Sequence, residues 1–145
     1  MEEINEGLRR DKQKEVTPPS PFFAAAAWTV LIVGMGAYII GLTNADMQLN
    51  EQGYYFTILL YGLFSAVSIQ KSIRDKEDGI PVTPLYYGIS WFSTLTAIVL
   101  LVVGLWNADT LALSEKGFYG IAYTLSLFAA VCVQKNVRDF AACKK

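Results

Sequence analysis

The sequence predicts an all-α membrane protein, in which four transmembrane helices form two tandem parallel helical hairpins with both chain ends on one side. Three observations carry the prediction. Four runs, Phe22 to Leu42, Gln52 to Gln70, Leu85 to Asn107 and Gly117 to Gln134, contain no charged residue. Eleven of the twelve Lys and Arg residues lie before the first run, after the second or after the fourth. The polar phrase NADMQLNEQGYY, beginning at Asn44, returns as NADTLALSEKGFY from Asn107.

The runs hold 18 to 23 residues. At about 1.5 Å rise per residue they make roughly 27–35 Å of helix, close to the ~30 Å hydrocarbon core of a bilayer. Of 145 residues, 53% are hydrophobic and 17% charged, against about 25% charged in soluble domains. A soluble four-helix bundle is the alternative, but its helices need a polar stripe every three or four residues. WTVLIVGMGAYII from Trp28 and TLTAIVLLVV from Thr94 offer no stripe wide enough to meet water.

Residues 1–19 are polar, charged and closed by Pro18 and Pro19, which reads as a disordered cytoplasmic arm. The first hairpin covers residues 20–75. Ser20 caps its first helix and Pro21 takes the first helical position, where a missing N–H costs nothing. A cleaved signal peptide is the alternative for this span. The Ala24 to Ala27 run opens the span instead of closing it, so the span is expected to be retained. Asn44 to Asp46 begin the outer turn, Asn50 caps the second helix, and Glu51 falls in its first turn, favoured by the helix dipole. That helix ends in QKSIRD, with Lys71 and Asp75 at i,i+4 spacing.

Residues 76–83 form a short charged cytoplasmic linker broken by Gly79 and Pro81. The second hairpin, 84–139, repeats the plan. Thr83 and Pro84 start it, Asn107 to Asp109 begin the turn, Ser114 caps, Glu115 follows, and QKNVRD closes with Lys135 and Asp139. Residues 140–145 are a cytoplasmic tail.

Alignment of the chain with itself gives an offset of 63 up to Asp46 and Asp109, then 64 after one inserted residue. Trp28 thus matches Trp91, Gly41 matches Gly104, Tyr55 matches Tyr119, and Arg74 with Asp75 matches Arg138 with Asp139. Each unit has an even number of spans, so the copies enter from the same side as parallel repeats. The positive-inside rule assigns the basic side, and with it both termini, to the cytoplasm.

Candidate interaction motifs follow. Lys71, Arg74, Lys135 and Arg138 read as a cationic collar reaching lipid phosphates, with a specific binding site as the alternative. Trp106, Tyr54, Tyr55, Phe118 and Tyr119 read as an aromatic belt on the outer side. Gly62 with Ala66, and Ser126 with Ala130, are small-xxx-small pairs suited to close helix contact. Tyr38, Tyr61, Ser65, Ser93, Thr94, Thr96, Tyr123 and Thr124 are polar at depth and are expected to bond to backbone. Asp46, Glu51, Asp109 and Glu115 invite a divalent-ion or acid/base role, but a turn and a helix start want acids anyway.

The chain has no His, so the commonest metal ligand and general base is missing. Cys132 and Cys143 are not expected to form a disulfide or a metal site in a reducing compartment. No cofactor is expected. A net charge of −1 with no dense basic face excludes nucleic acid as a partner.

GLWNADTLALSEKGFYG from Gly104, VQKNVRD from Val133, and their first-copy counterparts GLTNADMQLNEQGYYF and RDKEDGIP together resemble the YiaA/YiaB family of small bacterial inner-membrane proteins, in its longer two-copy form. The resemblance spans roughly Trp28 to Asp139 and leaves the arm before Ser20 outside it. It implies a four-span inner-membrane protein and carries over no catalytic or binding residue. The expected role is a non-enzymatic structural or interaction protein that contacts membrane lipids, self-associates as a homo-oligomer, or docks another membrane protein. The alternative is a small transporter or channel for a neutral or weakly polar solute. A membrane enzyme comes third, because no nucleophile stands with a base.

Overall fold

A computed structural model describes residues 1–12 and 17–144, with side chains for 1–7 and 17–144. The helices are α1 (Glu2–Lys12), α2 (Pro21–Asn44), α3 (Leu49–Glu77), α4 (Pro84–Trp106) and α5 (Leu113–Cys143). The last four are each long and apolar enough to cross a membrane. Their outward faces carry Phe22, Ile32, Ile40, Leu85, Phe92 and Phe128, all widely exposed. An apolar surface this continuous belongs in lipid.

The helix starts of α2 and α4 form as their residues dictate. The Phe23 amide donates to Ser20 Oγ (3.1 Å) and the Tyr86 amide to Thr83 Oγ1 (3.3 Å). The other two starts differ from expectation. α3 and α5 begin at Leu49 and Leu113, and their caps Gln48 and Ala112 make no side-chain cap bond, so Asn50 and Ser114 lie inside the first turn. Gln52 supplies a different anchor, its Nε2 donating to the Leu42 carbonyl (3.0 Å) at the end of α2.

The repeated Asn of the outer turn has a local cause. Asn44 Nδ2 donates to the Ile40 carbonyl and Asn107 Nδ2 to the Val103 carbonyl, both at 2.8 Å. Each adds a second donor to a last-turn carbonyl, since Val103 O also accepts the Asn107 amide (3.1 Å) and Ile40 O also accepts from Thr43 Oγ1 (2.9 Å). The α3–α4 turn is a Schellman motif: Ile80 N–H donates to Asp75 O (2.8 Å) and Gly79 N–H to Lys76 O (3.2 Å). Gly79 adopts φ 77° there, a conformation in which a side chain would be strained. Lys76 Nζ lies 3.6 Å over the Tyr87 ring and ties this turn to α4.

The packing corrects the expectation of two self-contained hairpins. α2 lies chiefly against α5, α4 chiefly against α3, and α3 lies against α5; the sequential pairs α2–α3 and α4–α5 touch least. The first helix of each repeat is therefore seated on the second helix of the other. In their most apolar stretches α3 and α5 bury 44% and 39% of residues, against 17% for α2 and α4, so the core runs along the α3–α5 seam.

The arm also differs from its expectation. Residues 2–12 form α1, which packs against no other helix among the described residues. Glu2 and Glu3 in its first turn suit the helix dipole. Of the arm and the tail, residues 13–16 and Lys145 lie outside the described residues.

Candidate functional site: the α3–α5 seam

At its outer end the seam is aromatic. Tyr55 of α3 and Tyr119 of α5 stack, with ring centroids 6.4 Å apart and planes 15° apart. Both are buried, at 4% and 3% exposure, so neither joins the aromatic belt expected of them; Trp106, Tyr54 and Phe118 stay exposed. Two equivalent glycines let the flanking helices close over this stack. A Cβ on Gly41 would lie 3.0 Å from both Phe118 Cε1 and Tyr119 Cε1. On Gly104 it would lie 2.7 Å from Tyr54 Cε1 and 3.2 Å from Tyr55 Cε1.

The middle of the seam holds the small residues singled out from the sequence. Gly62, Ala66, Ser126 and Ala130 are all buried. Their surface is spent within the chain and is not open to a second copy. Gly62 lies under Tyr123, whose hydroxyl donates to the Ile58 carbonyl (3.1 Å). Tyr38 crosses from α2 and donates to the Tyr55 carbonyl (2.8 Å).

Three of the other deep hydroxyls form their expected backbone bonds within helices, whereas Tyr61, Ser93 and Thr96 make no side-chain hydrogen bond among the described residues. Ser65 donates to Tyr61 O, Thr94 to Ser90 O and Thr124 to Gly120 O. Such i−4 bonds satisfy a hydroxyl in lipid without a partner helix.

At the inner end the seam is charged. Lys71 pairs with Asp75 (2.8 Å) and Lys135 with Asp139 (2.7 Å), as their spacing requires. Across the seam Arg138 pairs with Asp75 and Arg74 with Asp139. Asp78 accepts from both arginines at 3.4 Å.

This clasp corrects the lipid-collar reading. The two arginines are committed to the opposite repeat's acids, and only Lys71 and Lys135 keep about half their side chains exposed. Sequence reasoning missed the cross-pairing although a signal was present. Adjacent Arg and Asp at the same register in two parallel repeats can meet only as reciprocal pairs about a twofold. Asp46, Glu51, Asp109 and Glu115 remain exposed at the outer rim, remote in sequence and packing from the clasp.

Comparison with known proteins agrees with this duplicated geometry. The yiaA/B two helix domain matches the chain twice, over residues 23–75 and 86–139. Inner membrane protein YiaA of Escherichia coli (strain K12) is 55% identical over 125 residues, covering 86% of this chain and 86% of that protein. Uncharacterized membrane protein YubF of Bacillus subtilis (strain 168) is 38% identical over 57 residues, covering 39% of this chain and 66% of that protein. No solved structure matches. Two adjoining matches that account for all four spans, together with a relative alike over most of both chains, show that this chain belongs to the YiaA/YiaB two-helix family, as a multi-pass membrane protein carrying the unit twice.

Proposed function

We propose that the protein is a non-catalytic inner-membrane protein, with both termini in the cytoplasm, that acts by contact with other proteins in the plane of the bilayer, a second copy of itself first among them. The observation that carries this reading is the sealed interior. Tyr38, Leu59, Ser65 and Tyr123 are buried to within 2% at mid-bundle, and the hydroxyls among them are committed to backbone carbonyls. A solute path needs polar groups free to line continuous space, and ion-coupled transport keeps ionisable groups at depth. Here the paired acids and bases gather at the inner end, beside the side assigned to the cytoplasm by its basic residues, and Asp46, Glu51, Asp109 and Glu115 stand at the outer rim, so that none lies at depth. What remains available to a partner is the outer surface of whole bundles.

The mass of the protein in native lipid discs tests the association, with a dimer or larger particle expected. A strictly monomeric particle, together with solute flux in liposomes that vanishes in Tyr123→Ala, would favour the transport alternative. Orientation is tested separately. A tag after Lys144 should be shielded from a protease applied to the periplasmic face of intact cells, and cleavage there would reverse the assignment.

A further inference from the structure

We infer that the two repeats have diverged into complementary halves, so that the seam of each repeat accepts the opposite repeat and rejects a copy of itself. The inference concerns the interior of one chain and does not rest on the contact reading above. It comes from four of the buried pairs of equivalent positions at which the repeats differ, those that meet at mid-seam: Gly34 and Ala97, Tyr38 and Leu101, Leu59 and Tyr123, Gly62 and Ser126.

In every contact that the structure resolves among these eight residues, a small residue of repeat one faces a larger one of repeat two, or a large pair shares one side of the bundle. Gly34 lies against Ser126, where a Cβ would stand 2.7 Å from Ser126 Oγ and 3.3 Å from the Ser126 backbone nitrogen. Gly62 lies under Tyr123, where a Cβ would stand 2.8 Å from the ring Cζ and 3.2 Å from Leu127 Cδ1. Tyr38 and Tyr123 share the α2–α5 side, with centroids 6.0 Å apart. The leucines Leu59 and Leu101, both buried, belong to α3 and α4.

Like-with-like pairing breaks this fit in opposite directions. Two copies of repeat two would bring Tyr123 onto a serine where it now covers Gly62, and would match Ala97 to Ser126 where Gly34 now yields. That is overpacking. Two copies of repeat one would set Gly34 against Gly62 and leave Leu59 over the recess that Tyr123 fills. That is a void. A third interhelical tyrosine bond, from Tyr54 to the Leu100 carbonyl of α4, lies towards the outer end; the two made by Tyr38 and Tyr123 are equally one-sided. Both end on α3 carbonyls, at Tyr55 and Ile58, and the equivalent residues Leu101 and Leu59 cannot donate. The partner that fits repeat one is thus a two-helix unit bearing Ala, Leu, Tyr and Ser at these four positions.

Full-length variants test the inference. One chain receives Gly34→Ala, Tyr38→Leu, Leu59→Tyr and Gly62→Ser, which makes both halves resemble repeat two. A second receives Ala97→Gly, Leu101→Tyr, Tyr123→Leu and Ser126→Gly, which makes both resemble repeat one. A third carries all eight substitutions and exchanges these four pairs between the halves. In one detergent, the first two should melt at least about 5 °C below the parent chain, and the third should return to within about 3 °C of it. Parent-like melting of either four-substitution chain would overturn the inference. So would an eight-substitution chain that melts no higher than the better of the other two, or that does not fold. As a smaller check, Tyr123→Leu should recover much of the melting temperature lost in Gly62→Ser, and simple addition of the two losses would count against the fit.

Discussion

The two ends of the seam and its middle treat the internal repeat differently. At the inner end Arg74 meets Asp139 and Arg138 meets Asp75. At the outer end Tyr55 stacks on Tyr119, with Gly41 closing over Phe118 and Tyr119 and Gly104 over the equivalent Tyr54 and Tyr55. Between them Gly62 faces Tyr123, while the residues equivalent to these are Ser126 and Leu59. Reciprocal contacts on a twofold axis suit both copies at once, so they can be kept unchanged after duplication. A packed mid-membrane contact has no such constraint, because one helix can yield volume that the other takes.

The ends can be broken most severely through the clasp. Asp75→Ala and Asp139→Ala each leave an arginine beside the seam with only the longer Asp78 contact and should each cost roughly 3 kcal/mol in denaturant titrations of the micellar protein. The two losses should match closely; a silent partner would mean the reciprocity is only geometric. Next come Gly41→Ala and Gly104→Ala, for which overpacking against the tyrosines should cost about 1–3 kcal/mol by the same titration. Similar values for the two glycines would sharpen the symmetry of the outer end.

The middle is expected to answer unevenly. Tyr123→Phe and Tyr38→Phe each remove one interhelical hydrogen bond and should cost about 0.6–1.5 kcal/mol. Hydrogen exchange should rise locally on α3 in both, and exchange rising on α5 instead would contradict the direction of the bonds. The smallest effect belongs to the outer turns. Asn44→Ala and Asn107→Ala should each lose about 0.5 kcal/mol, seen as faster exchange in the last turns of α2 and α4.

Much of this architecture is legible in one dimension. The absence of charge over Phe22 to Leu42 and its three counterparts defines the spans, and Ser20-Pro21 and Thr83-Pro84 define two helix starts. These signals are local, because a cap needs only its own next turn. The choice of neighbour is not local. A helix such as α4, apolar on every side, has no polar face to orient it in lipid, so its sequence does not say that it leans on α3 in preference to α5. Tyr55 and Tyr119 illustrate the same gap. Their position near a helix start suits an interfacial belt, and only the glycines of other helices draw them inside. Lys71 with Asp75 was readable as a local pair, whereas the partner across the seam, Arg138, stands 63 residues away.

The exchanged seating of the helices has a consequence for biosynthesis. Of the four membrane helices described, α2 is the first to be made, yet its principal neighbour, α5, is the last of them. Until then its glycine-bearing face has only acyl chains or the insertion machinery to rest against. Final docking of α2 is thus deferred until α5 is made, and a ribosome that stalls before Leu113 would leave behind a membrane-threaded chain in which α4 can seat on α3 but α2 lacks its main neighbour, a natural target for quality-control proteolysis.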